Sequence, residues 1–386
     1  MYKNVEVNEN TKRVILESLP FFKLNSDLIS GLMYQHLFEK YPEYVGVFNM
    51  SNQEKGTQKH SLAASLVFYA ENFDNIDIVI DRLSRAIHFH SAHGIVESAY
   101  EHIAESLLYA IGQVFKQNNE SILIREWGNA FWRLANNMIA IEKAYFDLKS
   151  NQNNGWEGFK PMILSYRQKS IYSNSCIIRF SNKDGALLPN VLPGQFVNIV
   201  IPHLVGRRQY RLIDNNPKYF EILVKKEGMF SRSLFDINEG GEVLVSMPSG
   251  GYEISFNKNI FMFSQGIGIS PHISLIRTLI NNKADVNMFH MYASKDDANN
   301  PYSFFVKEFS KIKNLKTYLY FSQNNADKNK RYINKESISK LEFTGDDSFF
   351  ICGTPDFSYS VKSSLVSLNV NENDIHIESF GPSLFN

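Results

Sequence analysis

Hydrophobic residues recur at spacings of three and four along the first part of the chain, from residue 9 to about residue 149. This period places them on one side of successive helices, and proline, which breaks helices, is rare in the same stretch. The polar, glycine-bearing segment SNQNNGWEGFKP, residues 150–161, then interrupts the pattern and has the composition of a linker. The pattern therefore predicts an all-α domain over residues 1–150.

The pattern after this segment is that of β-strands. Short β-branched runs such as SCIIRF, FVNIVIP and YFEILVKK lie between Gly, Pro and Asn turns, which predicts an antiparallel β-barrel or sandwich over residues 151–258. From about residue 259, apolar runs such as NIFMFS and SFFIC alternate with helix-like stretches such as SLIRTLINN. That alternation predicts a doubly wound α/β domain with parallel strands over residues 259–386, so the fold class is multidomain.

The composition supports several packed domains. A chain of 386 residues is longer than one hydrophobic core usually organises, and its 44% apolar and 13% aromatic content excludes disorder and suits flat, aromatic-lined ligands. Lysine plus arginine equals aspartate plus glutamate at 40 each. Such a balance gives no overall charge that would attract nucleic acid or an anionic membrane, so we expect neither partner.

The cysteines and the N-terminal segment indicate a cytoplasmic protein. Cys176 and Cys352 lie far apart with no CxxC spacing, which argues against a disulfide scaffold and against a cysteine-ligated metal. The segment MYKNVEVNENTKRVILESL is charged throughout and lacks the apolar core of a signal peptide, and the chain has no run of 18 apolar residues. We expect a cytoplasmic monomer without a transmembrane segment.

Three histidines, His88, His90 and His93, lie close together in the stretch RAIHFHSAHGIVESAY. On a helix over residues 79–93, one apolar face is formed by Val79, Leu83, Ala86, Ile87 and His90. His88 lies about 200° away from His90 around that helix, so the two cannot share a metal. His93 precedes a glycine that is a natural helix end. The pattern alone leaves His90 as either a core residue or a ligand.

An all-helical domain with one inward histidine near a helix end is a common arrangement for haem ligation. The stretches FNMSNQ and WGNAFWRLAN, together with this histidine, resemble the globin domain of the flavohaemoglobins, and the resemblance extends over essentially the whole chain. It implies haem b in the globin domain, FAD in the barrel and NADH or NADPH in the α/β domain. It also implies the activity of a nitric oxide dioxygenase, which uses NAD(P)H and O2 to convert nitric oxide to nitrate and so detoxifies it.

The resemblance assigns residues around the haem. It implies His90 as the proximal iron ligand, Phe48 as the side chain that wedges the haem, and Tyr34, Gln58 and Leu62 as distal residues. Tyr100 and Glu142 match the pair that hydrogen-bonds the proximal imidazole, which would push electron density onto iron and favour oxygen activation over storage. Phe89 differs from the lysine that the family usually carries just before the ligand.

Three segments resemble the flavin-binding motifs of the family. GRRQYRLID is similar to its Arg-x-Tyr-Ser motif, EGMFSRSLF to its Gly-x-x-Ser spacing, and HIESFGP to its ending. The implied FAD-binding residues are Phe196, Arg208, Gln209, Tyr210, Arg211, Gly228, Met229, Phe230, Ser231, Glu378 and Phe380. Arg211 stands where the family has a serine near the flavin, and Phe196 replaces a usual tyrosine. Phe380 would cover the flavin as a movable gate.

The segment FMFSQGIGISPHISLIRTL places a glycine pair between a buried strand and a helix, the setting of a nucleotide-binding turn. Together with FFICGTPDF it resembles the nicotinamide-binding stretches of ferredoxin-reductase-type domains. The implied NAD-binding residues are Gly266, Ile267, Gly268, Ile269, Ser270, Pro271, Cys352 and Gly353. Ser270 replaces a threonine, and Thr354 lies between the glycine and the proline that commonly follows it directly.

Two alternative functions are compatible with the same cofactors. One is an NAD(P)H-driven reductase of hydroperoxides, O2 or ferric compounds, and the other is a gas-binding sensor or oxygen carrier whose attached reductase keeps the iron ferrous. The pair of Tyr100 and Glu142 favours chemistry over carriage. Arg211 and Phe89, which depart from the family pattern, leave slower or altered electron transfer open.

Overall fold

The computed structural model describes residues 7–46, 57–92, 97–150, 154–170, 174–252, 259–296, 300–323 and 332–379. Over these residues the chain forms helices as far as Ser150, then a six-stranded antiparallel sheet and then a five-stranded parallel sheet. This succession confirms the predicted fold class. None of the helices in these ranges combines the length and the apolar character that a membrane span requires.

The helices of the first region pack around one apolar core. They are α1 (Glu9–Leu24), α2 (Ser26–Lys40), α3 (Thr57–Glu71), α4 (Ile76–Ala92), α5 (Glu97–Phe115) and α6 (Ile122–Ser150). Phe22 of α1 stacks on Trp127 of α6 with ring centroids 4.3 Å apart, and both side chains are almost fully buried. Tyr34, Ile87 and Tyr100, from α2, α4 and α5, belong to the same core. The core therefore brings predicted site residues from separate helices together.

The second region is a closed barrel. Its strands are β1 (Phe159–Lys169), β2 (Ser175–Ser181), β3 (Phe196–Val200), β4 (Arg207–Arg211), β5 (Phe220–Lys225) and β6 (Glu242–Ser246), and α7 (Met229–Asp236) lies between β5 and β6. The strand order is β4-β3-β6-β1-β2-β5, and a bridge between Leu212 and Ile222 joins the two ends of the sheet. Alternate residues such as Ile178 and Phe180 fill the interior, because successive side chains of a strand point to opposite faces.

Strand β1 occupies part of the segment that the sequence predicted to be a linker. Residues 159–163 pair with β6, so the connection between α6 and the barrel is shorter than residues 150–161. The reason is that β1 is poorly buried. Its side chains are partly or fully exposed except for Met162 and Leu164, so it lacks the buried apolar run of strands such as β5 and β7.

The third region is a doubly wound sheet. Its strands are β7 (Asn259–Gln265), β8 (Met288–Ser294), β9 (Leu315–Phe321), β10 (Asp347–Gly353) and β11 (Ile375–Ser379), and its helices are α8 (Ser270–Asn281), α9 (Val306–Phe309), α10 (Lys335–Ile338) and α11 (Pro355–Val366). Ile260 and Met262 of β7 pack with α8, whereas Phe261 and Phe263 pack with α11 on the other face. The strand order β11-β10-β7-β8-β9 reverses between β7 and β10. Ligands of such sheets bind in the crevice at the carboxyl ends of the strands that flank the reversal.

A charged network joins the barrel to α8. Glu221 of β5 is 2% exposed and contacts Arg179 of β2, with Nε 2.6 Å from Oε2, and Arg277 of α8, with Nη1 2.9 Å from Oε1. Arg277 also donates to both carboxylate oxygens of Glu308, at 2.8 and 2.9 Å. Burial alone lowers the pKa of Arg277, but the hydrogen bonds and charges of Glu308 and Glu221 raise it above its ordinary value. The guanidinium therefore stays charged and fixes the two regions together.

Candidate functional site

The inward face of α4 ends in a histidine with an open edge. Val79, Leu83 and Ile87 of this face are at most 8% exposed, whereas the side chain of His90, the next residue on the same face, is 27% exposed. His90 therefore continues the buried face of α4 while part of its side chain stays accessible.

A buried pair holds one nitrogen of this histidine. Glu142 Oε1 lies 2.9 Å from His90 Nδ1 and accepts a hydrogen bond of 2.6 Å from the hydroxyl of Tyr100, which is itself 3.0 Å from His90 Nδ1. Glu142 and Tyr100 are 6% and 4% exposed. Burial, followed by the charge and hydrogen bond of Glu142, raises the pKa of Tyr100 far above its ordinary value. The phenol therefore keeps its proton.

This pair determines which imidazole nitrogen could bind a metal. A carboxylate oxygen accepts hydrogen bonds, so the 2.9 Å contact of Glu142 Oε1 with Nδ1 of His90 assigns the ring proton to Nδ1. A metal would then be bound by Nε2. Within the described residues, no group of three histidine, cysteine, aspartate or glutamate side chains could hold a metal ion on its own.

The predicted distal residues lie on neighbouring helices. Tyr34 of α2 is 7% exposed, and Leu62 of α3 packs against the same core. Burial raises the pKa of Tyr34 above its ordinary value, so its hydroxyl is a neutral donor. Phe48, His93, Gly94 and Phe380 lie outside the described residues, and for Gln58, His88 and Phe89 only the helical backbone is described. Tyr34 and Leu62 are thus the distal candidates that the structure brings into the core.

Strand β4 gathers the predicted flavin residues beside α7. The guanidinium carbon of Arg208 is 5.8 Å from the ring centroid of Phe230, and the ring centroids of Tyr210 and Phe230 are 6.4 Å apart. Burial raises the pKa of Tyr210 and keeps this phenol neutral. Gln209, which lies between Arg208 and Tyr210 in the strand, is exposed. Arg208 and Tyr210 of β4 therefore lie beside Phe230 of α7, so that a cation and two aromatic rings come together.

Helix α7 begins at the predicted Gly-x-x-Ser segment. The hydroxyl of Ser231 accepts from the backbone N–H groups of Glu227 and Gly228 at 3.0 and 3.1 Å, so this side chain caps the helix. A Cβ added at Gly228 would meet no atom within 4 Å, and the neighbouring Met229 is 70% exposed. The start of a helix carries partial positive charge and suits an anionic group. Open space lies beside it here.

Arg211 reaches from the end of β4 to the last strand of the parallel sheet. Its guanidinium carbon lies 4.9 Å from the ring centroid of Phe196, and Nη1 donates to the carbonyl of Gly194 at 2.7 Å. Nη2 lies 2.8 Å from Oε2 of Glu378, and the Arg211 and Glu378 side chains are 17% and 13% exposed. Glu378 is the neighbour of Cys352 in the β10–β11 ladder. The structure thus joins β4 to β11, the strand that pairs with the predicted nicotinamide residue Cys352 of β10.

The predicted glycine turn lies at the reversal between β7 and β10. Gly266 has a φ of +56°, a conformation that favours glycine. A Cβ added at Gly268 would lie 2.4 Å from the carbonyl oxygen of Cys352, so only glycine allows the turn to approach β10 this closely. The two glycines therefore place bare backbone at the crevice where such sheets bind nucleotides.

Polar side chains connect the same strand ends. The hydroxyl of Thr354, which caps α11, donates to Oε1 of Gln265 at 2.8 Å and so links the end of β10 to the end of β7. The hydroxyl of Ser270 donates to the carbonyl of Ile267 at 2.9 Å, and Pro271 follows in the first turn of α8. Gln265 carries no local sequence signal, because its partner comes from a distant part of the chain.

Known proteins are similar to this chain in sequence and in fold. Residues 262–363 match the family model of the oxidoreductase NAD-binding domain. The chain is 26% identical to the flavohemoprotein of Bacillus subtilis and 29% identical to that of Oceanobacillus iheyensis, with 98% of this chain covered in each case and 98% and 97% of the relatives. The crystal structure of a flavohemoglobin from Malassezia yamatoensis with bound FAD and heme has a TM-score of 0.84 at 21% identity, with 97% of this chain and 99% of that chain covered. This last likeness shows a shared fold.

Proposed function

The chain belongs to the flavohaemoglobin family, and on that premise we propose that it is an NAD(P)H-dependent oxidoreductase that uses O2 to convert nitric oxide to nitrate. The observation that carries the proposal is the buried pair of Tyr100 and Glu142 at Nδ1 of His90. A carboxylate at this nitrogen makes the imidazole a stronger electron donor to iron, which suits oxygen chemistry better than reversible carriage.

The helical region fits a haem b group, which we propose is bound by Nε2 of His90. The supporting observation is the open edge of His90 at the end of an otherwise closed helix face. We propose Tyr34 and Leu62 for the opposite side of the group, with Gln58 and Phe48 as further contacts. A neutral Tyr34 hydroxyl in a dry core is a strong hydrogen-bond donor to a bound ligand, because little water competes for it.

The barrel fits FAD at the edge formed by β4 and α7. We propose that Arg208 binds phosphate, that Tyr210 packs against the flavin ring, and that the start of α7 at Gly228 receives the diphosphate. The open space beside Gly228 supports this placement, since a methyl group there would meet no atom within 4 Å. The other proposed contacts are Phe196, Gln209, Arg211, Met229, Phe230, Ser231, Glu378 and Phe380.

The crevice between β7 and β10 fits NADH or NADPH. The close approach of Gly268 to Cys352 leaves backbone instead of side chains at this point, which lets a nucleotide come near the strand ends. We propose residues 266–271, Cys352 and Gly353 as the coenzyme contacts.

The proposed reaction divides between cofactors and side chains. When bound, the nicotinamide coenzyme supplies a hydride, the flavin passes electrons on singly, and the haem takes one electron at a time and binds O2. The chain holds the protons in place: Glu142 keeps a proton on Nδ1 of His90, and Tyr34 retains its own. The proton on Nδ1 fixes the orientation of the His90 imidazole. The proton of Tyr34 provides a hydrogen-bond donor on the opposite side of the proposed haem.

We further propose the division into a haem-binding domain (1–150), an FAD-binding domain (151–258) and an NAD(P)-binding domain (259–386). The helices of the first region end at Ser150, and the first strand of the parallel sheet begins at Asn259. These two positions support the proposed bounds. Cys176 and Cys352 are both buried and form no disulfide within the described part of the chain, which supports a reducing compartment, the cytoplasm.

Nitric oxide distinguishes the proposal from its alternatives. The purified full chain, reconstituted with hemin and FAD, should show a Soret band and flavin bands. It should oxidise NADH much faster in air when nitric oxide is added, with nitrate as the product, and nitric oxide should give no acceleration without O2. Acceleration by hydroperoxide alone would favour the reductase alternative. NADH oxidation that reduces ferric haem but is accelerated by neither nitric oxide nor hydroperoxide would favour the sensor or carrier.

A further inference from the structure

Arg211 is held from three sides at the boundary between the barrel and the parallel sheet. The ring of Phe196 lies beside its guanidinium, the Gly194 carbonyl accepts from Nη1, and the Glu378 carboxylate pairs with Nη2. Phe196 is itself confined, because a Cβ at Gly250 would lie 3.0 Å from its ring. A planar guanidinium with a ring, a carbonyl and a carboxylate as partners has little freedom to move. The side chain therefore spans the boundary in a defined conformation.

We propose that Arg211 and Glu378 form a latch that fixes the parallel sheet against β4, and that Arg211 is thereby a positioning residue for hydride transfer. The hydride-transfer part of this inference rests on the proposed function. Glu378 pairs with Cys352 across the β10–β11 ladder, and Phe196 pairs with Arg211 across the β3–β4 ladder. The latch thus connects, through one ladder step on each side, the strand ends proposed to hold nicotinamide and flavin.

A second ion pair between the same two regions explains why the latch would control the angle between the barrel and the parallel sheet. Arg277 on α8 joins the same two regions through Glu221, and it lies about two helical turns, or roughly 10 Å, from the crevice end of that helix at Ser270. Two bodies held at one point can pivot about it, whereas a second tie fixes their relative orientation. Loss of the latch should therefore loosen the crevice end while the Arg277 tie stays intact.

Amide hydrogen exchange tests the latch itself. In the full chain loaded with FAD, Arg211→Ser and Glu378→Gln should each raise exchange at the amides of β11 about fivefold. The double variant should raise it no further, since both single changes remove the same contact. Arg13→Ser, which breaks an exposed ion pair with Glu17 within α1, is the matched control. Unchanged exchange in Arg211→Ser, or additive effects in the double variant, would overturn the latch.

Stopped-flow reduction tests the positioning role. Without O2, Arg211→Ser should lower the limiting rate of flavin reduction by NADH about tenfold or more. The apparent Kd for NADH should stay within about twofold, because the proposed coenzyme contacts at Gly268 and Cys352 are untouched. Arg211→Lys keeps the charge and should recover part of the rate. A limiting rate that is unchanged or faster in Arg211→Ser would show that Arg211 does not position the two sites.

Different results would contradict the proposed function and the latch. A wild-type chain that takes up no FAD refutes the proposed function, and the positioning role with it. The exchange comparison needs no cofactor and can be repeated in the unloaded full chain, where it still decides whether Arg211 and Glu378 hold the two sheets together.

Discussion

At the scale of single residues, His90 is set apart from its neighbouring histidines by what its two ring nitrogens can do. Nδ1 is committed to the pair of Tyr100 and Glu142, and the ring keeps an open edge. Helical geometry predicts that His88 lies about 200° away around α4. A histidine that binds iron usually has its other ring nitrogen oriented by a partner. His90 has such a partner in Glu142.

Replacing His90 by alanine should therefore abolish stable haem binding, because the iron loses its proposed protein ligand. His88→Ala is the matched control and should bind hemin as the unchanged chain does. Titration of the haem-free chain with hemin, followed at the Soret band, measures both. Equal losses in the two variants would mean that the helical-face argument is wrong.

Glu142→Gln should retain haem and lower nitric-oxide-dependent NADH oxidation about ten- to a hundredfold. The reason is that a neutral amide oxygen accepts from Nδ1 of His90 more weakly than a carboxylate does. Steady-state rates, normalised to haem content, check this. Glu120→Gln changes an exposed carboxylate and should have no effect. An unaltered rate in Glu142→Gln would remove the main support for the proposed function.

The sequence predicts some site residues from their own pattern and others only through the resemblance to a family. The inward position of His90 follows from apolar periodicity, whereas the role of Glu142 follows only from the resemblance to a family. Arg211 is visible as a departure from a motif, but its contact with Glu378 is not. Contacts between strands that are distant along the chain leave no local pattern, because they depend on how whole sheets pack.

At the scale of elements, apolar periodicity predicts the helices and strands that bury one complete face. This periodicity does not predict strands β1 and β11, because both bury few side chains. Only Met162 and Leu164 of β1 are buried, and β11 is a half-buried edge strand of five residues. Elements that contribute little to a core carry little hydrophobic signal, so their pairing is decided by neighbouring strands.

Two histidines are buried between α8 and β8. His272 and His290 are 0% exposed with ring centroids 5.6 Å apart, and His290 Nε2 bonds the hydroxyl of Ser264 at 2.7 Å. Neither ring nitrogen of His272 has a hydrogen-bond partner in the described part of the chain. Burial lowers the pKa of His290 to about 3, and burial together with the neighbouring His290 lowers the pKa of His272. Both rings are therefore neutral in the folded chain.

The parallel sheet should consequently lose stability in mild acid. Below about pH 6.5 the unfolded chain protonates both histidines, whereas the folded chain does not until the pH is far lower. The pair should lower the free energy of unfolding by up to about 2.7 kcal/mol per pH unit in this window. Urea unfolding at several pH values measures the slope.

His272→Leu should make that slope shallower, because it removes one of the two buried proton acceptors. The exposed His60, whose side chain is 52% exposed, provides the control His60→Ala, which should leave the slope as it is. An identical slope in His272→Leu would show that other groups govern the acid response.

At the scale of the whole molecule, the barrel and the parallel sheet share one interface. A single apolar cluster contains Ile213 and Leu223 from the barrel side together with Ile273 and Leu279 of α8. The network around Arg277 is charged and connects the same two regions. Apolar and ionic contacts in one place make the two sheets cooperative, so they should unfold together.

Arg277→Ala should weaken that cooperation and destabilise the two sheets by about 3 kcal/mol, because it removes one of the cations that compensate the buried Glu221. Scanning calorimetry of the full chain should show a lower and broader transition for the sheets. Arg13→Ala, at an exposed pair within α1, should cost no more than about 1 kcal/mol. An equally small cost for Arg277→Ala would mean that Arg179 alone satisfies Glu221.

Strand β11 lies close to the C-terminus, and both the edge of the parallel sheet and the contact with Arg211 need it. On a ribosome the helical region has emerged in full long before this strand is made, and N-terminal domains fold first during synthesis. A nascent chain can thus assemble its proposed haem site while the electron-supplying half is unfinished. Until β11 has been made, the parallel sheet lacks this edge strand and Arg211 lacks its contact with Glu378.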